Sequence, residues 1–90
     1  MYYDQKGNEI TLEEWAIALK DNSIKKNTVG KYVVSTIYLG LDHNFGEGKP
    51  LIFETMVFEE GEEEVDVERY ETVEQAKEGH ERFVKKYKKK

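Results

Sequence analysis

The sequence predicts an α+β domain: a two-layer sandwich in which an antiparallel sheet of three main strands, with a short extra strand at the N-terminus, carries two helices on one face. Three observations point to it. Residues 31–41 are dense in β-branched and aromatic side chains, and 51–58 and 65–70 return in the same style after glycine-containing turns. Two further segments, starting at Thr11 and Thr72, open on helix caps and continue with apolar residues at helical spacing. Ninety residues leave room for one core, so 1–90 is read as a single domain with a basic tail at 85–90. Helices gathered on one face of an antiparallel sheet let so short a chain bury the apolar side of each element.

Taken in order, Tyr2-Tyr3-Asp4 is a short extended piece, and Gly7-Asn8 suits a turn. Thr11 and Glu14 form a capping box, with Ile10 placed to staple onto Trp15. Leu12, Trp15, Ala16 and Leu19 give the first helix its apolar face, and Asp21-Asn22-Ser23 ends it. The polar stretch from Ile24 to Gly30 reads as a connection. In the first long strand Val33, Ser35, Ile37, Leu39 and Leu41 point one way, while Val34, Thr36, Tyr38 and Asp42 point the other. The loop 42–50 leads back into a second strand from Leu51 to Phe58, and Gly61 allows a turn into the third, from Val65 to Tyr70. The last helix is capped by Thr72 with Gln75 at its third position, and its apolar set is Val73, Ala76, Phe83, Val84 and Tyr87. Gly79 inside that helix costs about 1 kcal/mol relative to Ala, which predicts a close approach to the sheet.

Composition narrows the function classes. Eleven aromatic residues argue for a folded core. The absence of cysteine excludes disulfides, a thiol nucleophile and Cys-ligated metal. No apolar run approaches the roughly 18 residues of a membrane helix and no signal-peptide pattern opens the chain, so a cytoplasmic protein with no membrane partner is expected. The net charge of −5 conceals a polarity, because Lys85, Lys86, Lys88, Lys89 and Lys90 follow a body of net charge −10. The acidic belt runs from Glu59 to Glu74, opposed only by Arg69. It is either a solvated turn and edge strand protected from edge pairing, or a surface that imitates a phosphate backbone and enters a basic groove on a partner. On the second reading Glu62, Glu63, Glu64, Asp66 and Glu68 bind the partner. Direct nucleic-acid binding through the lysine tail is disfavoured, since the acidic body would repel the same polymer.

For chemistry, the polar groups to weigh are Thr36, Asp42, His43, Asn44, Glu54, Thr55 and His80, which together make a candidate ligand site. His80 lies on the inward stripe of the last helix, in reach of Glu54 or Thr55. It is read first as a hydrogen-bonded packing histidine and second as a proton shuttle. A metal enzyme would need Asp42, His43, Glu54 and His80 to converge without any metal-ligand spacing to announce them, so neither a metal nor another cofactor is expected. Ser35 lacks a nucleophile elbow, and Gly46-Glu47-Gly48-Lys49 is too short for a phosphate loop and reads as a hairpin turn. Tyr2, Tyr3, Tyr32, Tyr38 and Phe45 are read as packing aromatics before stacking platforms for a base.

The blocks LGLDHNFGEGKPLIFETMVF and ERYETVEQAKEGH, with Tyr2-Tyr3-Asp4, Thr11-Leu12 and Trp15-Ala16, resemble a family of small accessory proteins of tailed bacteriophages and prophages. The resemblance runs over nearly the whole chain. It departs at Glu59-Glu60-Gly61-Glu62-Glu63-Glu64, where relatives tend to be glycine-rich, so the acidic belt is this chain's own feature. What the resemblance implies is context rather than chemistry: a protein made in the cytoplasm of an infected bacterium. The function expected is non-enzymatic binding or inhibition of a host or anti-phage defence protein. The alternatives are sequestration of a nucleotide-like small ligand and, third, a small metal-dependent hydrolase or nuclease. An exposed strand edge leaves a homodimer open.

Overall fold

A computed structural model of the chain describes residues 1–41, 48–60 and 62–89. Its element order is β1 (Tyr2–Tyr3), β2 (Glu9–Ile10), α1 (Leu12–Ala18), a 3-10 turn at Leu19–Asp21, β3 (Ser23–Val29), β4 (Tyr32–Tyr38), β5 (Phe53–Glu59), β6 (Glu64–Tyr70) and α2 (Val73–Lys88). The α+β class stands, with helices packed on an antiparallel sheet. The sheet has four strands in the order β3-β4-β5-β6, and β1 pairs with β2 in a separate two-stranded ribbon. The expected connection from Ile24 to Gly30 is thus corrected: most of it is an edge strand paired with β4, from Lys25 opposite Thr36 to Val29 opposite Tyr32.

Both helices begin as their caps require. Thr11 Oγ1 accepts from the Glu14 N–H and Glu14 Oε1 from the Thr11 N–H, at 3.1 and 3.0 Å. Thr72 Oγ1 accepts from the Gln75 N–H, while the Gln75 amide oxygen takes the N–H of Glu71, one residue before the cap. The inward face of α1 differs from expectation. Leu12 is 56% exposed and Ala16 is exposed, whereas Trp15, Ala18 and Leu19 pack inward against the cluster around Tyr38 and Phe53. Trp15 is met by the ring of Tyr2 at 4.5 Å, and its indole N–H donates to the Leu39 carbonyl at 2.8 Å. The N-terminal ribbon is anchored at the same place, where the Tyr3 N–H donates to the Gly40 carbonyl and the Tyr38 hydroxyl to the Tyr3 carbonyl. Gly40 has φ +67°, and a Cβ there would overlap the Tyr38 and Trp15 side chains, so this joint accepts only glycine.

α2 lies across all four long strands and buries Ala76, Gly79, His80, Phe83, Val84 and Tyr87. Beneath it the core falls into two apolar clusters. One holds Val29, Val34, Val57, Phe83, Val84 and Tyr87; the other holds Tyr38, Ile52, Phe53, Tyr70 and Ala76. Each large side chain in them contributes about 1.5–3 kcal/mol by leaving water. The strand register sets Thr36 and Thr55 opposite each other, between the Val34–Val57 and Tyr38–Phe53 pairs, so a polar layer separates the two clusters. Gly79 is explained by its neighbour: an added Cβ would overlap the hydroxyl and ring of Tyr70.

Candidate functional site

The polar layer is a continuous chain of hydrogen bonds. Thr55 and Thr36 hydroxyls lie 2.5 Å apart, Thr36 Oγ1 is 2.7 Å from His80 Nδ1, and His80 Nε2 is 2.7 Å from Asn27 Oδ1. Because the Asn27 carbonyl oxygen can only accept, Nε2 carries the imidazole proton and Nδ1 accepts from the Thr36 hydroxyl. Thr36 in turn accepts from Thr55, so every donor points along one direction. Thr36, Thr55 and His80 are all fully buried. The next hydroxyl, Tyr70 Oη, is buried and makes no hydrogen bond among the described residues, although Thr55 and Glu68 are near enough to affect its ionisation. Burial pushes its pKa up to about 12.

Burial also holds the His80 pKa below its ordinary value, and the Lys25 ammonium on β3 adds to the effect, while Glu81 opposes it. Lys25 itself forms an ion pair with Glu81, which ties the β3 edge to α2. The arrangement is a neutral histidine with both nitrogens occupied, enclosed between helix and sheet. Such a group fixes the register of the helix; a substrate could reach it only if α2 moved.

The candidate ligand residues are therefore distributed over more than one place. Thr36, Thr55 and His80 come together, and the expected reach of His80 to Thr55 is made through Thr36. The expected contact with Glu54 is corrected: strand alternation sets Glu54 on the face away from α2, opposite Ile37 and Arg69. There Glu54 is 4% exposed and accepts from Arg69 Nε at 2.9 Å. Asp42, His43 and Asn44 lie outside the described residues. Among the described residues no cluster of three His, Asp or Glu side chains is placed to hold a metal. Asn27 and Tyr70 were not singled out by sequence reasoning, because an asparagine in a polar run 53 residues before His80 and a tyrosine at a strand end carry no local signal of the buried polar layer they adjoin.

The acidic belt divides into two parts. Asp66 accepts from Lys86 Nζ at 2.8 Å and from the Tyr87 hydroxyl at 3.0 Å, and Glu68 accepts from Arg82 at 2.6 Å. Lys86 foremost, then Tyr87, holds the Asp66 carboxyl below its usual range against the opposing effect of burial. These two carboxylates, expected to face a partner, seat α2 on the edge strand β6. Glu62, Glu63 and Glu64 are exposed and enter none of the five ion pairs found among the described residues.

Fold and site together define a small α+β protein with a sealed polar layer and an acidic hairpin end. No protein-family model matches the chain, and neither a curated protein nor a solved structure matches it.

Proposed function

We propose that this is a non-enzymatic binding protein of phage origin that acts in the infected bacterial cytoplasm on a host or anti-phage defence protein. The phage context rests on the sequence resemblance of the two long blocks. The binding reading rests on one observation: the β5–β6 turn presents Glu60, Glu62, Glu63 and Glu64 exposed at one end of the sheet, while the carboxylates further along β6 are already neutralised by α2. A cluster of uncompensated carboxylates at a hairpin end suits a basic surface on the partner, with attraction that weakens as salt rises.

The test is affinity capture from bacterial lysate, comparing the wild-type chain with Glu62→Lys/Glu63→Lys and identifying retained proteins by mass spectrometry. A protein held by the wild type, lost with the double variant and eluted by moderate salt supports the reading. Identical retained sets for the two baits refute it.

A further inference from the structure

The four-stranded sheet ends in two unlike edges, β3 and β6. Backbone bonds fix which groups each edge turns outward. The Tyr38 N–H donates to the Asn22 carbonyl and the Glu60 N–H to the Lys31 carbonyl, at 2.8 and 2.7 Å. Even-numbered residues of β4 therefore bond toward β3 and odd-numbered ones toward β5. The register then ties Lys25, Asn27 and Val29 to β4 and leaves the N–H and C=O of Lys26 and Thr28 pointing away from the sheet. By the same alternation Val67 turns its N–H outward from β6. There the edge is closed, because Asp66 Oδ1 accepts from the Val67 N–H at 3.1 Å and acidic side chains line the strand. On β3 both outward residues are exposed, and among the described residues nothing caps their backbone groups.

We infer that the β3 edge pairs with the same edge of a second copy, antiparallel about a two-fold axis that passes by Asn27 perpendicular to the sheet. The product is one sheet of eight strands. In this register Lys26 of each copy lies opposite Thr28 of the other, and their outward groups make four N–H···O=C bonds with every donor meeting an acceptor. The edge is self-complementary because its two outward residues flank one central position. Like charges stay apart. The two Lys26 residues are diagonal neighbours, about 7–8 Å from each other, and Lys25, held by Glu81, lies opposite Val29. Sliding the pair by one pleat repeat is disfavoured in either direction: one sets Lys26 directly opposite its copy, and the other moves it past the strand to the turn glycine, Gly30. α2 does not obstruct the pairing. It lies across all four strands, so the two α2 axes stand about 19 Å apart, four strand spacings and twice the distance of packed helices. A four-bond ladder is smaller than a standard interface, so dissociation falls on the order of 100 micromolar. The pairing concerns β3 alone and is independent of what the acidic hairpin binds.

Sedimentation velocity of the full chain from low micromolar to millimolar concentration tests it, and a concentration-dependent dimer is expected. Thr28→Pro removes an N–H that bonds nothing within its own copy, so it keeps the fold while two of the four bonds are lost, and it should weaken the dimer about 10-fold or more. Thr28→Glu, set opposite Lys26 twice over, should tighten it about 3-fold, and Thr28→Lys should loosen it by a similar factor. Those opposite signs decide the matter even if Thr28→Pro unfolds. Glu62→Lys/Glu63→Lys should leave the dimer intact, which separates this outcome from loss of host-protein capture. A monomer at every concentration overturns the inference. So does a dimer that is indifferent to the charge of residue 28, or one that a folded Thr28→Pro chain still forms at full strength.

Discussion

His80 has no exposed surface and no spare nitrogen, so adding a proton to it means breaking the Thr36 bond and placing a charge beside Lys25. The unfolded chain titrates near pH 6.5 and the folded one lower. Between the two values the unfolded chain holds more protons, so stability rises with pH through that window. The contribution is complete above about pH 6.5 and is lost as pH falls through the lowered folded value. The lowered pKa of Asp66 acts in a separate window, below its ordinary value of 3.8. Urea unfolding at several pH values should show an acid-side slope below about pH 6.5 in the wild type that is flattened in His80→Gln; equal slopes in the two would contradict this picture. At Gly79 the ordinary helix rule is reversed. Ala gains about 1 kcal/mol in propensity, but its methyl would collide with Tyr70, and overpacking typically costs about 1–3 kcal/mol. Gly79→Ala should therefore lower the unfolding midpoint. Tyr70→Phe, which removes a buried hydroxyl with no hydrogen-bond partner among the described residues, should be neutral or slightly stabilising.

α2 is the element on which the fold depends, and its attachments alternate between apolar contact and hydrogen bonds. Its N-cap is Thr72, and Thr72→Ala should cost about 1 kcal/mol in denaturant unfolding. Asn27→Ala on β3 should cost more, about 1–3 kcal/mol, because it leaves the His80 Nε2–H buried without an acceptor. If Asn27→Ala proved as mild as a surface substitution, the polar layer would not be holding the helix. The helices and the three interior or acidic strands were legible in the sequence because caps, spacing and alternation are local signals. β3 was not. Its helix-facing positions are Lys25, which reaches Glu81, Asn27, which bonds His80, and only at the end Val29. A strand whose inward side is satisfied by polar contacts lacks the alternation that identifies strands. The inward face of α1 was misplaced for a related reason: Trp15 and Leu19 were read correctly, but Leu12 and Ala16 share their spacing and are left exposed by the described residues.

At the scale of the whole molecule, the charge polarity read from the sequence has a structural use. Lys86 returns from the C-terminal end of α2 to Asp66, and Arg82 to Glu68, so α2 neutralises the middle of the acidic belt and leaves the hairpin end uncompensated. That division was not legible beforehand, since it depends on α2 lying beside β6 and not on the order of charges along the chain. The candidate site was legible only in part. His80 was correctly read as facing the sheet, yet strand parity separates Glu54 from it by the thickness of the sheet. The resulting molecule has Thr36, Thr55 and His80 committed to structure and a cluster of exposed carboxylates at the hairpin end, which is the surface we propose for recognition. The most direct measurement is capture of a host protein by three baits side by side: wild type, His80→Gln and Glu62→Lys/Glu63→Lys. Retention by the wild type and by folded His80→Gln, with loss in the hairpin variant, is the expected result. Retention by the hairpin variant with loss in folded His80→Gln would contradict it and return function to the buried layer.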